Sequence, residues 1–304
     1  MGFRLNLPQR ILLLHLTLLS VTKWSESARV FTIVNSCDQT IWPAITPGEN
    51  FSGGGFKLKP GHSIAFNAPV GWSGRIWGRT GCKFNKTGTG SCKTGSCGSN
   101  LKCTTAGKQP VSLAEFTLAS LDFYDVSLVD GFNLPMTLTP VNGTGNCTVV
   151  HCVADLRPRC PAELAVKSKG KVISCRSACD VFDTDEYCCR GVYGNPSTCR
   201  PTHYSKIFKK ACPTAYSYAY DDPTSIFTCS GSDYVISFCS YRSRWERNMI
   251  TSKYAACSHG SGSGGFKTRV RRLWLVLMMS VDAFKGISNP TPYFTPKLRK
   301  WNGK

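Results

Sequence analysis

Acidic side chains are scarce in this chain of 304 residues, which carries 18 Asp and Glu against 37 Lys and Arg, for a formal net charge of +19. Residues 1 to 27 contribute +2 and residues 258 to 304 contribute +8, which leaves +9 on residues 28 to 257. A moderately basic body is attracted to anionic cell walls or membrane surfaces. The net charge affects how the protein associates with a partner and does not indicate its fold.

Long apolar runs are also lacking. The run over residues 11 to 21 follows two arginines and is too short to span a membrane, which is typical of a secretory signal peptide. Small residues at Ser25 and Ser27 predict that residues 1–27 are removed and that the mature chain begins at Ala28. A nucleic-acid partner is not expected for a secreted chain without a recognition motif.

Histidine is scarce as well, with five residues scattered along the chain, so a zinc site of thiolates and imidazoles is not expected. All 17 cysteines lie between Cys37 and Cys257. A secreted chain with this many thiols is most simply a disulfide framework. The sequence therefore predicts disulfides, no metal site and no cofactor.

A long apolar pattern with helical period is absent from residues 28 to 257. Short alternating runs such as RVFTIVN and DYVISFC are bounded by Gly, Pro, Asn and Ser, which predicts the strands of a β-sandwich. Two cysteine-rich inserts, over residues 80 to 110 and about 154 to 212, interrupt these strands. Helical turns are predicted at SACDVF and YSKIFKK, and the lysines of the second are interpreted as a solvated face.

The polar and terminal features also fit export. After Cys257 a Gly/Ser-rich linker leads to nine largely apolar residues, too few for a membrane span, and then to a basic end. Residues 243 to 304 are therefore predicted to be an atypical, disordered tail. Four Asn-x-Ser/Thr sequons are glycosylation candidates, at Asn50, Asn85, Asn142 and Asn146.

The order of seven motifs resembles the plant thaumatin-like proteins, the osmotin relatives of pathogenesis-related family 5. These motifs are IVNSC, GRIWGRTGC, GTGSCKTGSC, LAEFTL, DGFNLPM, EYCC and YSYAYDDPTSIFTC. The likeness covers residues 28 to about 242 and includes sixteen cysteines in the family's order. It implies an antiparallel β-sandwich body with two disulfide-rich inserts and a functional groove between the body and the larger insert.

The resemblance also implies the disulfide pairing, which spacing alone does not determine. The implied pairs are Cys37–Cys239, Cys82–Cys92, Cys97–Cys103, Cys147–Cys229, Cys152–Cys212, Cys160–Cys175, Cys179–Cys188 and Cys189–Cys199. Cys257 is left over, as a free thiol, in an intermolecular bridge or as a feature of an anomalous tail.

Five groove residues of the family, one arginine and four acids, have matches in this chain. They are Arg75, Glu115, Asp125, Asp130 and an acid of YDDPTS, with Asp221 preferred and Asp222 as the alternative. Strand alternation puts Tyr124, Val126 and Leu128 on the core face, so Asp125 points away from it. Only the resemblance implies that Asp125 and Asp130 line one groove.

Crowded carboxylates raise one another's pKa, so one can stay protonated as a general acid while Arg75 holds an ionised neighbour. Glycoside hydrolysis needs such a pair. We therefore predict Glu115 as the acid and Asp130 or Asp125 as its partner. Any one of these acids alone is more simply structural, and a groove can also bind sugar hydroxyls without cleaving the chain.

The implied function is that of a secreted, monomeric plant defence protein of the cell wall or apoplast. Its acidic groove would bind β-1,3-glucan or another fungal cell-wall polysaccharide, with antifungal action and, as a further hypothesis, weak endo-β-1,3-glucanase activity. One alternative is a non-enzymatic antifungal protein that permeabilises a target membrane surface. Another is a stress-induced wall protein whose rigid framework matters more than any site.

Overall fold

A computed structural model of the chain describes residues 28 to 240. The predicted signal peptide, the predicted tail and Cys257 lie outside the described residues. Within them, no helix is long and apolar enough to cross a membrane. The four predicted glycosylation sequons have exposed asparagines, and their occupancy stays a prediction.

Two five-stranded sheets form the body, which confirms the predicted β-sandwich. The first contains β1 (Arg29–Asn35), β3 (Ser63–Ala68), β9 (Met136–Val141), β10 (Val150–Cys152) and β14 (Asp233–Phe238), in the order β10-β9-β14-β1-β3. The second contains β2 (Trp42–Thr46), β4 (Ser73–Arg79), β7 (Leu113–Thr117), β8 (Asp122–Ser127) and β13 (Phe227–Cys229), in the order β13-β8-β7-β4-β2. Neighbouring strands are antiparallel except β1 and β14, which are parallel.

Aromatic side chains from both sheets fill the space between them. Phe31 of β1 lies with its ring centroid 4.7 Å from that of Phe116 of β7, and Tyr234 of β14 lies 5.1 Å from Phe116 and 5.3 Å from Tyr124 of β8. The predicted core residues of β8 are buried, as are the inward residues of β1. Strand alternation therefore produces the apolar interior of a sandwich.

A buried ion pair also joins the two sheets. Arg29 Nε of β1 lies 2.9 Å from Asp122 Oδ2 of β8, and Asp122 is fully buried. Asp122 also accepts hydrogen bonds from the backbone N–H of Ala119 at 3.0 Å and the hydroxyl of Tyr234 at 3.1 Å. These bonds offset the cost of removing the carboxylate from water, so Asp122 serves the fold rather than the groove.

The smaller insert packs on the outer face of the second sheet. It contains the short strands β5 (Lys83–Phe84) and β6 (Gly90–Ser91). Trp77 Nε1 donates a 2.8 Å hydrogen bond to the carbonyl of Gly95, and the buried Arg79 donates to the carbonyls of Trp42 and Leu101. Burial lowers the pKa of Arg79 to about 10.

The larger insert contains β11 (Ala165–Ser168), β12 (Lys171–Cys175), α1 (Ala178–Phe182), α2 (Asp185–Cys188) and α3 (His203–Ala211), with 3-10 turns at Arg157–Arg159, Ala162–Leu164 and Gly191–Tyr193. A fourth helix, α4 (Asp222–Ser225), follows it. The hydroxyls of Ser177, Thr184 and Thr202 accept backbone N–H bonds at the starts of α1, α2 and α3. The helices at SACDVF and YSKIFKK are thereby confirmed.

Eight disulfides connect the sheets and staple the inserts, and they are the eight pairs that the family resemblance implies. Cys37–Cys239 closes the longest loop, with a sequence separation of 202. The inserts have short elements and little core of their own, so these bridges supply a large part of their stability.

Candidate functional site

Antiparallel pairing places three polar residues side by side on the second sheet. Arg75 of β4 lies opposite Glu115 of β7, and Glu115 lies opposite Asp125 of β8. Directly opposed residues share a face, with Cβ atoms about 4.5–5.5 Å apart. These three residues, the carboxylate row, lie on the face of the sheet that points away from the sandwich core.

Of the two acids in the carboxylate row, Glu115 is the one that is ion-paired with Arg75. Arg75 Nε lies 2.7 Å from Glu115 Oε1, and the two side chains are 41% and 26% exposed. Burial raises the pKa of Glu115, Arg75 opposes this, and Asp130 raises the pKa further. Arg75 therefore stabilises the ionised form of Glu115.

Asp125 has the opposite environment. The residue is 9% exposed, and its Oδ1 atom is buried without a hydrogen-bond partner in the described part of the chain. Burial raises the pKa of Asp125 well above its ordinary value, and the nearby charge of Glu115 adds to this. Burial and the charge of Glu115 therefore both favour the protonated form of Asp125.

Asp130 reaches the site through a turn that follows β8. Gly131 has φ +90°, and a Cβ atom there would lie 2.6 Å from both the Cys175 carbonyl oxygen and Pro110 Cβ, so glycine is required. Phe132 and Cys175 exchange backbone hydrogen bonds of 2.8 and 2.7 Å. The turn is thus fastened to β12, which brings the larger insert beside the carboxylate row.

Asp130 lies between the sheet and the insert. Gln109 Nε2 donates a 2.6 Å hydrogen bond to Asp130 Oδ1. Burial raises the pKa of Asp130, Arg75 and Gln109 lower it, and Asp180 of α1 raises it. Asp180, whose Oδ2 is 2.6 Å from Arg176 Nε, is thus an acidic neighbour of Asp130 that the sequence did not indicate. Its position three residues after Ser177 predicts only a helix cap.

Asp221 and Asp222 have different roles. Asp221 accepts hydrogen bonds from the Ser217 N–H at 3.0 Å and the Thr224 hydroxyl at 3.2 Å, and it pairs with Lys209 Nζ at 3.0 Å. Lys209 is therefore not on a solvated face as predicted. Asp222 instead contributes to the raised pKa of Asp125. The bonds of Asp221 are thus internal to its own segment, and the charge of Asp222 acts on Asp125.

Tyr216 connects this segment to β8. Its N–H donates to the carbonyl of Val126 at 2.8 Å, its carbonyl accepts from Leu128 at 2.9 Å, and its hydroxyl donates to Asp222 Oδ1 at 3.2 Å. Burial, followed by the charges of Asp125 and Asp222, raises the pKa of Tyr216. The hydroxyl therefore remains a hydrogen-bond donor.

These groups form one acidic recess, defined as the carboxylate row together with Asp130, Asp180 and Asp222. Arg75 is a hydrogen-bond donor beside these carboxyl groups. Within residues 28–240, no group of three or more His, Cys, Asp or Glu is arranged to hold a metal ion.

Comparison with known proteins gives a consistent result. The Thaumatin family model matches residues 35–240. Pathogenesis-related thaumatin-like protein 3.5 of Cryptomeria japonica is 58% identical over 216 residues, which cover 70% of this chain and 90% of that protein. Pathogenesis-related protein 5 of Arabidopsis thaliana is 52% identical over 214 residues, which cover 69% of this chain and 89% of that protein. Among solved structures, the thaumatin-like xylanase inhibitor TLXI is 26% identical in sequence, with a TM-score of 0.41. The match covers 69% of this chain and 99% of that chain.

Proposed function

The chain belongs to the thaumatin family, and from this membership we propose that it is a secreted plant defence protein whose acidic recess binds β-1,3-glucan. The carboxylate row supports this proposal most directly. A neutral polysaccharide presents hydroxyl groups that both donate and accept hydrogen bonds. Glu115 and Asp130 accept such bonds, and Arg75 donates them.

Charge decides against an anionic polysaccharide in the recess. The recess holds four aspartates and one glutamate against two arginines, Arg75 and Arg176, which are already ion-paired with Glu115 at 2.7 Å and with Asp180 at 2.6 Å. A carboxylated sugar would bring another negative charge among them, and like charges in a desolvated site repel strongly. A neutral glucan incurs no such cost.

Weak endo-β-1,3-glucanase activity is a second proposed property of the same residues. Asp125 would give its proton to the glycosidic oxygen as the bond from that oxygen to the anomeric carbon breaks, and ionised Glu115 or Asp130 would take a proton from the water that attacks this carbon. The raised pKa of Asp125 supports its role as the acid.

Titration calorimetry with soluble β-1,3-glucan tests the binding proposal. Asp125→Asn and Glu115→Gln should each weaken binding by about tenfold or more. Asp38→Asn and Glu49→Gln are matched controls, because they remove exposed carboxylates elsewhere on the body and should bind like the wild type. Unchanged affinity in both recess variants would refute the proposed site.

Release of soluble oligosaccharides from the glucan tests hydrolysis separately. Wild type and the two control variants should release them, and Asp125→Asn should not. Binding without any release would limit the function to recognition. Dye leakage from anionic vesicles that persists in Glu115→Gln, in the absence of glucan binding, would favour the membrane-permeabilising alternative instead.

A further inference from the structure

The smaller insert, residues 80–110, carries charge of one sign only. It contains five lysines and neither Asp nor Glu. All five lysines are exposed, namely Lys83, Lys86, Lys93, Lys102 and Lys108. None of them forms an ion pair within residues 28–240, where the ion pairs use arginines and one lysine of α3. Like charges on one small element repel one another, and an anionic partner relieves that repulsion.

The structure around the insert does not neutralise this charge. Residues 48–55 contact the insert, and their one acid, Glu49, is exposed and is not ion-paired with any of the five lysines. Arg79 is buried beneath the insert and donates hydrogen bonds to the carbonyls of Asn100 and Leu101. The insert therefore has a positive charge below its surface as well as on it.

One side of the insert is concave. Lys86 and Lys102 line a recess of about 690 Å³, a volume within the range of ligand sites. Six more lining residues have hydroxyl or amide side chains, namely Asn85, Thr87, Ser99, Asn100, Thr104 and Thr105. No aromatic residue lines this recess. A ligand that fits it needs negative charge and many hydroxyl groups, which are the properties of a sugar acid.

The lining groups are held in place by the fold. Lys102 Nζ donates a hydrogen bond to the carbonyl of Ser52. Asn85 Oδ1 accepts hydrogen bonds from the Thr87 N–H at 3.1 Å and the Thr87 hydroxyl at 2.7 Å. Two disulfides staple the insert. A surface that is ordered in advance loses little conformational entropy when it binds a partner.

We propose that the smaller insert is a docking surface for a carboxylated polysaccharide, that is, a polyuronate chain. The lysine ammonium groups pair with its carboxylates, and the hydroxyl and amide side chains of the recess bond to its hydroxyl groups. A lipid surface fits less well, because peripheral membrane binding uses apolar side chains that enter the bilayer. No exposed large apolar residue of residues 28–240 lies in the insert. This surface is separate from the acidic recess and does not depend on glucan binding.

Binding of soluble polygalacturonate fragments tests the charge requirement. Wild type should bind them at least about tenfold more tightly than the fully methyl-esterified fragments, which have the same sugars but no charge. The affinity for the acid form should also fall as the salt concentration rises, because salt screens exposed charges. Equal affinity for the acid and the ester would overturn the proposal.

A matched pair of double variants tests the location. Lys86→Gln with Lys102→Gln should weaken polygalacturonate binding by about tenfold or more. Lys167→Gln with Lys171→Gln removes two exposed lysines from the larger insert and should bind like the wild type. Both double variants lose the same net charge. Equal losses in the two would mean that only net charge matters, which would overturn the docking surface.

A single charge reversal separates binding from folding, because Lys102 also bonds to Ser52. Lys86→Glu should weaken binding by about tenfold at an unchanged Tm, and Lys86→Arg should retain the wild-type affinity. Full affinity in Lys86→Glu would overturn the proposal.

Two further measurements on the wild type complete the test. The sequon residue Asn85 also lines the recess, so binding is measured with N-linked glycans intact and after their trimming by an endoglycosidase. Binding in neither form would overturn the proposal. Tighter binding to phosphatidylserine vesicles than to polygalacturonate would overturn it in favour of a membrane partner.

Discussion

Glu115 and Asp125 lie directly opposite each other on neighbouring strands, yet only Glu115 is paired with Arg75, at 2.7 Å. Like charges in this position destabilise a sheet. The buried, unpartnered Oδ1 of Asp125 adds a desolvation cost. The fold therefore retains an arrangement that opposes its own stability, which is characteristic of functional sites.

The pH dependence of stability should reveal the raised pKa of Asp125. Its pKa in the folded protein is raised from 3.8 by burial and by Glu115. At pH values between the ordinary pKa of Asp125 and its raised pKa, the native state binds more protons than the unfolded state. Stability therefore falls as the pH rises through this range. We expect Asp125→Asn to have a higher Tm than the wild type at pH 7 and a smaller difference at pH 4. Thermal unfolding at both values checks this, with Asp38→Asn as the exposed control.

Asp221 and Asp222 should separate stability from binding. Asp221→Asn loses the ion pair with Lys209 and should cost roughly 1–3 kcal/mol of unfolding free energy, with glucan affinity near that of the wild type. Asp222→Asn should weaken glucan binding about threefold to tenfold, with little loss of stability. Urea unfolding and calorimetry on both variants measure the contrast. The opposite pattern would place Asp221 in the recess.

Strand alternation predicted the core face of β8, and Tyr124 and Val126 are indeed buried. It did not predict the carboxylate row. Arg75, Glu115 and Asp125 become neighbours only when β4, β7 and β8 pair in one register, and that register is fixed by contacts between segments distant in sequence. Only family resemblance grouped them.

Other parts of the site depend on chain direction and on docking of the insert. Odd and even positions on a straight strand point to opposite faces, but β8 ends at Ser127 and the turn at Gly131 redirects Asp130. The larger insert, which carries Asp180, lies beside Asp130 because Phe132 pairs with Cys175 of the insert. No local pattern specifies that contact, so sequence analysis missed Asp180.

The buried ion pair between the sheets should be far more important for stability than an exposed one. Asp122→Ala leaves the Arg29 guanidinium buried without this carboxylate and should cost about 3–5 kcal/mol. Asp183→Ala, which removes the exposed pair with Arg190, should cost about 0–1 kcal/mol. The side chains are 5% and 0% exposed in the first pair and 49% and 79% in the second. Chemical denaturation checks both, and similar losses would contradict the structural role of Asp122.

Loop length should determine how much each disulfide contributes to the free energy of unfolding. Cys37–Cys239 spans 202 residues and joins the parallel neighbours β1 and β14 at their ends, whereas Cys97–Cys103 spans 6. Loop-closure entropy predicts losses of about 5 and about 2 kcal/mol when each pair is replaced by alanine.

Denaturant unfolding without reductant measures both losses, in a Cys257→Ser background so that the seventeenth cysteine cannot exchange.

A further distinction between the two disulfides follows from packing. Cys97 and Cys103 lie in a small apolar cluster with Trp77, so their removal should also expose the smaller insert to proteolysis before the sandwich unfolds. Removal of Cys37–Cys239 should instead lower the stability of the whole sandwich, because it removes the link between β1 and β14, which are neighbouring inner strands of the first sheet. Equal losses in the two variants would mean that local packing, rather than restriction of the unfolded chain, governs these bridges.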